Sequence, residues 1–568
     1  MGERKTYIIN IDGMRGDYVG TIGHQGCLTP TLNDLALQGI QFRKCSSTMP
    51  ANTGTNHTAI LTSTTAGSHG ILGIGGYFSG LDFNHWRWSR HYGKAQAEVY
   101  EHHHVQIPTL FNIVKQQNLT AKTAFITGKT WLGSILPDED CDITIYPGNT
   151  TEHCGVHEAN PSYVTPPYGY VLGGTAHPED NELLPRVYIP STVDGDAYHA
   201  PPGSISASPV DFDADKLPSD QWIMDQALAC IDHNDPDMMY LVLMNMDLAG
   251  HAYGAFITKE GDENDDNLSL FRNPQATKDQ LFLTDAQIQR FIHHLQVKGL
   301  YDDARIIITS DHGMSTMKAL FSAETRQEFL NWMTSRVDAL TDPSIISYTE
   351  PFSQRERLDI DIRQILEDNG IHMRASMGRL LHRYNPQGHY DWCISEGPNA
   401  YIYNAEPSVQ EEIKQILLDY TIQENEQEEH PIWKVLTQDE QDTTINEHTG
   451  ESFNLGKGNY ADVIWPSVMI FCHPHYMVPM YNDQLQSALM PLMIKMKLPG
   501  FIDVRTAMGA HGTYQEQHVP LILVSPSEPM VPENVISYKQ VSLIDIAPTI
   551  TSLNEWALPP SFQGESLV

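Results

Sequence analysis

Short runs of apolar residues recur along the chain, and each run ends in polar residues. They are TYIINID, AKTAFITGK, MMYLVLMNMD, ARIIITSDHG and VPLILVSP, ending at Asp12, Lys129, Asp247, Gly313 and Pro526. Continuous rather than alternating hydrophobicity is typical of strands that are covered on both faces, as in a parallel sheet between two helix layers. Amphipathic stretches that close with glycine, such as TPTLNDLALQG and LTDAQIQRFIHHLQVKG, predict the intervening helices. The pattern therefore predicts an α/β fold with a doubly wound, mostly parallel sheet flanked by helices.

Two regions interrupt this pattern. Residues from about 138 to 220 are rich in Pro, Gly and Tyr and are too long for an ordinary connection, which predicts an irregular insertion. Residues 315–500 carry helix and strand signals of their own and predict an inserted lid subdomain. The catalytic core is therefore expected to comprise residues 1–314 and 501–568.

The charge of the chain limits its possible partners. The 35 Lys and Arg residues face 71 Asp and Glu residues, which gives a formal net charge of −36. Such a field repels nucleic acid, so a nucleic-acid scaffold role is not expected, although bound cations can still attract an anionic substrate into a cleft. No apolar run approaches the roughly 20 residues of a membrane helix, so no membrane span is expected.

Seven cysteines occur without a CxxC pair, so neither a zinc knuckle nor a dithiol redox site is indicated. The chain opens with MGERKTYIINIDG, which leaves no room for a signal peptide before the first strand and predicts a cytoplasmic location. The sequence gives no indication of the oligomeric state.

Polar residues that could bind metal follow several of the predicted strands. They are Asp12, Asp247, His251, Asp311, His312 and His511. Any one of them alone is more simply explained as a helix cap or a hydrogen-bonded polar residue. Because ligands in such sheets bind outside the carboxyl ends of the strands, the set together predicts a pair of divalent metal ions. Carboxylate oxygen and imidazole nitrogen ligands suit zinc or manganese.

The order of the motifs resembles a known family. The chain carries NIDGMRGDY, then PANTGTNHTAILT followed by SHGI, then DLAGHAYG, SDHGM and GAHGT, and closes with DIAPTI and FQGESL. This series is similar to the type I phosphodiesterase and nucleotide pyrophosphatase branch of the alkaline phosphatase superfamily. It also resembles the phosphonoacetate hydrolases of that superfamily.

The resemblance implies a metal-dependent hydrolase of phosphate esters, with a small phosphorylated molecule as substrate. It assigns the nucleophile to Thr53 in PANTGTNH, because the family holds a threonine in the turn before the Asn-His pair. It also implies two divalent ions, zinc or manganese. One ion would be held by Asp12, Thr53, Asp311 and His312, and the other by Asp247, His251 and His511. Attack by Thr53 would give a covalent phosphothreonyl intermediate that water then hydrolyses.

One position departs from the family pattern. Members of this branch usually carry an asparagine a few residues after SHG, which donates to the phosphoryl oxygen, but the corresponding position here is Ile74. Asn56 or a backbone N–H of the glycines at 73, 75 and 76 could replace that donor. Lys129 corresponds to a lysine near the substrate in phosphonoacetate hydrolases. Two alternatives therefore stay open: a hydrolase of carbon–phosphorus bonds, and a degenerate member that binds a phosphorylated ligand without turnover.

Overall fold

The computed structural model of the chain describes residues 4–23, 26–73, 75–78, 87–88, 105, 107–129, 132, 136, 140–146, 170–172, 220–256, 274–317, 360, 362–377, 390–394, 397–424, 427–458, 463–476, 478, 509–528 and 531–568. The helices among these residues are α1 (Pro30–Gln38), α2 (Thr53–Thr62), α3 (Ala66–His69), α4 (Leu110–Gln117), α5 (Asp220–Asn234), α6 (Asn245–Tyr253), α7 (Pro274–Lys298), α8 (Ile362–Asp368), α9 (Pro407–Leu418) and α10 (Ile546–Leu553).

The strands are β1 (Lys5–Ile11), β2 (Ile22–Gly23), β3 (Gly26–Cys27), β4 (Ile40–Ser46), β5 (Gly75–Phe78), β6 (Arg87–Trp88), β7 (Thr123–Thr127), β8 (Ile143–Tyr146), β9 (Tyr170–Leu172), β10 (Met238–Leu243), β11 (Ala304–Thr309), β12 (Ser315–Thr316), β13 (Met373–Met377), β14 (Tyr390–Ile394), β15 (Asn399–Tyr403), β16 (Ile422–Glu424), β17 (Gln427–Glu429), β18 (Ile432–Thr437), β19 (Val463–Ile464), β20 (Val468–Cys472), β21 (Gly509–Ala510), β22 (His518–Val524) and β23 (Val535–Ser542).

The main sheet has nine strands in the order β23-β4-β22-β11-β1-β10-β7-β8-β9. The five neighbouring strands β11, β1, β10, β7 and β8 are parallel to one another. β22 lies antiparallel between β11 and β4. The predicted mostly parallel sheet is therefore confirmed. The run VPLILVSP, however, forms an antiparallel strand, because a strand buried on both faces has the same composition in either direction.

Helices cover both faces of this sheet. On one face, α1, α5 and α7 pack in a core cluster that contains Ile9 of β1. On the other face, α2, α4 and α10 pack in a second cluster that contains Ile8. Successive residues of a strand point to opposite faces, so β1 contributes to both clusters. This arrangement is the predicted doubly wound fold.

A second sheet, ordered β13-β14-β15-β20-β18, is drawn from the segment predicted to be a lid. Its core residues, such as Ile402 and Val468, belong to the same apolar cluster as Ile8 of the main sheet. The Thr65 hydroxyl donates to the Asn454 carbonyl oxygen at 2.9 Å, which joins this region to the segment after α2. The lid boundaries at 315 and 500 stay a prediction.

Part of the insertion predicted between residues 138 and 220 is regular structure. β8 and β9 extend the main sheet, because the ITIY run of β8 is a short strand-forming sequence. Among the described residues, no helix combines the length and apolar character that crossing a membrane requires. The cytoplasmic location stays a prediction.

Candidate metal centre

Three carboxylates and a lysine meet at the carboxyl ends of four adjacent parallel strands. Asp12 follows β1, Lys129 follows β7, Asp247 lies in the first turn of α6 after β10, and Asp311 follows β11. Because β7, β10, β1 and β11 are neighbours with the same direction, their ends lie at one edge of the sheet. The topology therefore gathers side chains that are up to 299 positions apart in sequence, as for Asp12 and Asp311.

Negative charge exceeds positive charge in this buried cluster. Lys129 Nζ lies 2.6 Å from Asp12 Oδ2 and 2.8 Å from Asp247 Oδ2, so one ammonium group faces the carboxylates of Asp12, Asp247 and Asp311. Burial, together with the neighbouring Asp311 carboxylate, raises the pKa of Asp12. Burial also opposes ionisation of Asp247, but Lys129 and His251 outweigh it and hold the pKa of Asp247 well below its usual range. The cluster therefore lacks positive charge, which bound cations could supply.

Three histidines are fixed by their Nδ1 atoms. His251 Nδ1 lies 2.9 Å from the Gly509 carbonyl oxygen, His312 Nδ1 2.8 Å from that of Gly313, and His511 Nδ1 3.0 Å from that of Ala51. A carbonyl oxygen can only accept, so each Nδ1 carries a proton and donates it. In a neutral imidazole each Nε2 is then unprotonated, as in metal-bound histidines.

The buried histidines are held in the neutral form. Burial lowers the pKa of His312, and burial together with His312 and His251 lowers the pKa of His511 well below its usual range. The rings of His312 and His511 stack with their centroids 3.5 Å apart. His251 is the more accessible of the three, with 33% of its side chain exposed. A neutral, buried imidazole is the form that binds a metal ion.

The spacing of the imidazole nitrogens and carboxylate oxygens fits shared metal ions. These distances are 3.3 Å for His251 Nε2 to Asp247 Oδ1, 3.8 Å for His511 Nε2 to Asp247 Oδ1, 3.3 Å for His312 Nε2 to Asp311 Oδ2 and 3.6 Å for His312 Nε2 to Asp12 Oδ1. They exceed the 2.7–3.2 Å range of an N–H···O hydrogen bond. Two atoms bound at about 2.1 Å to one tetrahedral ion are separated by about 3.4 Å.

The same oxygens lack other partners. Within the described part of the chain, Asp12 Oδ1, Asp247 Oδ1 and Asp311 Oδ2 are buried and accept no hydrogen bond. Buried polar atoms are nearly always satisfied, so such atoms point to an ion or water. The residues present therefore fit divalent cations.

Thr53 is the first residue of α2 and lies beside these ligands. Its side chain is buried, and its Oγ1 is 3.0 Å from His312 Nε2 and 3.4 Å from Lys129 Nζ. Because Nε2 of His312 carries no proton, the threonine hydroxyl donates to it. The start of a helix adds positive potential at this position.

The family model for type I phosphodiesterase/nucleotide pyrophosphatase matches residues 6–482. The chain belongs to this family. No curated protein sequence is significantly similar to it. Similar solved structures include the murine ectonucleotide pyrophosphatase/phosphodiesterase 5, at a TM-score of 0.52 and 14% identity over 99% of this chain and 98% of the murine chain.

Two further solved enzymes share the fold. The phosphonoacetate hydrolase of Sinorhizobium meliloti has a TM-score of 0.52 and 15% identity, covering 97% of this chain and 96% of that enzyme. The alkaline phosphatase PafA has a TM-score of 0.54 and 13% identity, covering 100% of this chain and 99% of PafA. These likenesses confirm the alkaline-phosphatase-like fold. Together with the family match, they place the chain among the phosphoryl hydrolases of the alkaline phosphatase superfamily.

Asn56, predicted to bind substrate in this phosphodiesterase family member, is fully engaged inside the turn before α2. Its Oδ1 accepts from the Thr48 amide at 2.7 Å and from the Thr48 hydroxyl at 2.8 Å, and its Nδ2 lies 3.2 Å from the carbonyl oxygens of Thr48, Pro50 and Asn52. These contacts shape the turn that presents Thr53 and do not favour the predicted role. That role stays a prediction. Ile74 lies outside the described residues.

The structure also brings His57, which no sequence pattern indicated, to the carboxylates. The ligand atoms of Asp12, His57 and Asp311 lie within 4.8 Å of one another, as do those of Asp247, His312 and His511. His57 follows Thr53 by four positions, and the two residues therefore share one face of α2. The four-residue spacing of Thr and His in TGTNH is the sequence feature that could have indicated His57.

Glu516 is a second residue at the site that no sequence pattern indicated. Its carboxylate accepts from the Thr513 amide at 2.8 Å, from the Thr513 hydroxyl at 2.6 Å and from the Ser315 hydroxyl. Its own carbonyl oxygen accepts from the Gly313 amide at 2.6 Å. Glu516 therefore ties together the two loops that carry His312 and His511.

Proposed function

We propose that this protein hydrolyses phosphate esters, with Thr53 as nucleophile at a site for two divalent metal ions, zinc or manganese. The placement of the Thr53 hydroxyl carries the proposal. It lies at the start of α2, next to the His312 imidazole and the Lys129 ammonium, where a substrate phosphoryl group would meet all three. A threonine that only capped a helix would not need this neighbourhood.

Seven residues would hold the ions. Asp12, Thr53, Asp311 and His312 would hold one ion, and Asp247, His251 and His511 the other. When bound, the ions would supply Lewis-acid chemistry that acidifies the attacking hydroxyl and neutralises charge on the phosphoryl group. The orphaned carboxylate oxygens and the Nε2 lone pairs support this assignment.

The reaction is a double displacement on phosphorus. Thr53 Oγ1 forms a bond to phosphorus and loses its proton, and the ester oxygen departs with the bonding electrons and gains a proton. Water then attacks the phosphothreonine and restores the hydroxyl, which releases phosphate if the substrate is a monoester and a phosphate monoester if it is a diester. Lys129 Nζ, 3.4 Å from Thr53 Oγ1, is placed to donate to a phosphoryl oxygen as charge develops there.

A neighbour supports both the nucleophile and a nucleotide-like substrate. An inactive threonine-to-alanine variant of the murine phosphodiesterase 5 was solved in complex with AMP. Its identity to this chain is 14%, so the substrate inference rests on shared family and fold rather than on matched residues.

A second candidate is hydrolysis of a carbon–phosphorus bond. The buried Lys129 at the nucleophile favours it, because a small phosphonate with a second anionic group needs a fixed cation close to the phosphorus. The phosphonoacetate hydrolase neighbour was solved with phosphonoacetate. A panel of bis-p-nitrophenyl phosphate, p-nitrophenyl phosphate and phosphonoacetate separates diesterase, monoesterase and phosphonatase activity. Binding of these compounds without turnover would identify a degenerate member instead.

Replacement of Thr53 tests the mechanism. Thr53→Ala should lower turnover about 10⁴-fold or more, because the covalent intermediate cannot form, while zinc content stays at two equivalents per chain. Thr53→Ser should keep partial activity, and acid quench of the wild type should trap phosphate on the Thr53 peptide.

Thr58 offers a matched control on the same helix. Its buried hydroxyl donates to the Gly54 carbonyl oxygen at 2.7 Å, away from the ligands. Thr58→Ala should therefore cost some stability and leave turnover unchanged. Full activity in metal-loaded Thr53→Ala would reduce Thr53 to a structural residue.

A further inference from the structure

We infer that Asn399 of the second sheet is a positioning residue for His511, and that this sheet thereby helps to set the affinity of the site for one of its two metal ions. The inference rests on the proposed function and leaves the seven ligands assigned above unchanged. It gives a role at the metal centre to β15, a strand that supplies none of those ligands.

The Asn399 side chain contacts the residue that follows His511. Asn399 is the first residue of β15 and is completely buried, and its Nδ2 donates to the Gly512 carbonyl oxygen at 3.0 Å. Gly512 has a φ of +134°, in a region that only glycine adopts readily. Because a glycine restricts its own backbone little, the direction of this carbonyl depends on a partner from elsewhere in the chain, and Asn399 provides one.

The turn before β15 contacts the same loop. A Cβ atom added to Gly397 would lie 3.2 Å from the His511 carbonyl oxygen, so the two backbones approach closely. The turn is itself fixed, because the Gly397 and Pro398 carbonyl oxygens accept from the Val478 and Cys472 amides at 3.1 and 2.9 Å. The second sheet therefore contacts the backbone of His511 through this turn and the residue after it through Asn399.

The position of this backbone decides where the His511 ring lies. Nδ1 of the ring donates to the Ala51 carbonyl oxygen at 3.0 Å, and Nε2 lies 3.8 Å from Asp247 Oδ1. Both contacts need the Cα atom of His511 at one place, because the side chain that joins it to the ring is short. A ligand displaced by more than about 0.5 Å binds its ion less well. Asn399 therefore acts on the ion through His511 and not by coordination.

The alternative is that Asn399 only fills its place in the core. β15 has the sequence NAYIY, and all five of its residues are buried. Within the described part of the chain, Asn399 Oδ1 is buried without a hydrogen-bond partner. An unpaired buried oxygen lowers stability, so leucine, which has nearly the same shape, would serve packing better. The bond to Gly512 is what an asparagine adds at this position.

Zinc titration of the full-length protein separates the two accounts. Metal-free protein is titrated with zinc against a competing chelator, and the urea midpoint of each variant is measured without metal. Asn399→Leu should weaken one of the two zinc equivalents about 10-fold and leave the other at its wild-type value, as expected for loss of a supporting hydrogen bond. Amide hydrogen exchange of residues 509–513 in metal-free protein should become several-fold faster. A packing role alone would change the urea midpoint and neither of these values.

Gln441 supplies the matched control for this substitution. Its completely buried side-chain amide lies between β18 and β19, and its Nε2 donates to the Pro466 carbonyl oxygen at 3.0 Å rather than to the loop of His511. Gln441→Leu should therefore leave both zinc dissociation constants, and the exchange of residues 509–513, at the wild-type values.

Gly397→Ala tests the second contact independently. The new methyl group would displace the His511 backbone, so one zinc equivalent should again weaken about 10-fold. Gly397 has a φ of +64°, so alanine also adds backbone strain. Gly299→Ala adds similar strain without the contact, because Gly299 has a φ of +69° and, among the described residues, no heavy atom lies within 4 Å of an added Cβ. Gly299→Ala should keep both zinc affinities.

Wild-type zinc dissociation constants in Asn399→Leu would overturn the inference. If that variant does not fold, Gly397→Ala decides, and equal zinc affinities in Gly397→Ala and Gly299→Ala would overturn it.

The outcome is independent of catalysis. A wild-type protein that binds two zinc ions but hydrolyses no phosphorus compound would contradict the proposed function and leave the role of Asn399 intact. Conversely, an active protein whose two zinc affinities ignore Asn399 would contradict only the further inference.

Discussion

Replacement of Lys129 by methionine should destabilise the metal-free protein strongly and the zinc-loaded protein much less. The ammonium group contacts Asp12 at 2.6 Å and Asp247 at 2.8 Å, and only 8% of the lysine side chain is exposed. At an effective dielectric constant of about 20, each contact is worth about 6 kcal/mol of gross attraction. Most of this offsets desolvation, and removal of one partner of a buried pair typically costs about 3–5 kcal/mol. Methionine keeps the unbranched shape and all but the last atom of the side chain, so the loss reports mainly on charge.

The stability lost in Lys129→Met should increase with pH. The pKa of Asp12 is raised by burial and by Asp311 even with the lysine present, and it should rise further without it. A carboxyl whose folded-state pKa lies above the unfolded value binds its proton more tightly in the folded state. The variant is therefore least impaired near pH 4 and loses stability as the pH rises through the folded-state pKa.

Urea unfolding of metal-free protein at pH 5 and pH 8, with and without zinc, measures both effects. Zinc at 1,000 times its dissociation constant should raise the free energy of unfolding by about 4 kcal/mol, because it binds the native state. Lys298→Met is the control, since Lys298 pairs with Asp232 at 2.8 Å with 44% of its side chain exposed, and such pairs contribute about 0–1 kcal/mol. Equal urea midpoints for metal-free wild type and Lys129→Met at pH 8 would refute the reasoning.

Three further predictions concern residues around the site. Burial lowers the pKa of His69 to about 3, so below pH 6.5 the unfolded chain binds one more proton than the folded chain, and the free energy of unfolding should fall by about 2 kcal/mol between pH 7 and pH 5. In His69→Gln the free energy of unfolding should depend less steeply on pH. An unchanged pH dependence in this variant would contradict the prediction. Glu516→Ala should weaken zinc binding about 10-fold by loosening the loops of His312 and His511, whereas Glu528→Ala, which removes the ion pair with Arg305, should not. Asp220 accepts from the Met244 and Asn245 amides at 2.8 and 3.0 Å and so holds the start of α6, the helix that carries Asp247. Asp220→Ala should therefore also lower zinc affinity. Two wild-type zinc affinities in this variant would show that Asp220 does not position Asp247.

The neighbouring pair Asn56 and His57 shows where prediction from sequence stops. The sequence indicated a helix at this point and a threonine at its start, but it selected Asn56 as the residue facing the substrate. Successive helical residues point about 100° apart, so only one of the two can face the same way as Thr53. The four-residue spacing gives that place to His57, while Asn56 turns back to Thr48 and the turn. Which face of a buried helix meets the strand ends depends on packing against β10.

The sequence by itself determined the strands, the mostly parallel sheet and the residues that follow the strand ends. A buried parallel strand needs an unbroken apolar run, and the place where that run stops marks the edge at which Asp12, Asp247 and Asp311 must meet. Only the tertiary structure decided the direction of β22, the hydrogen bonds by which Glu516 joins two loops, and the proximity of His57 to the carboxylates. Strand direction, a loop–loop hydrogen bond and a helix face depend on contacts between segments far apart in sequence. Such contacts leave no periodic signal in either segment alone.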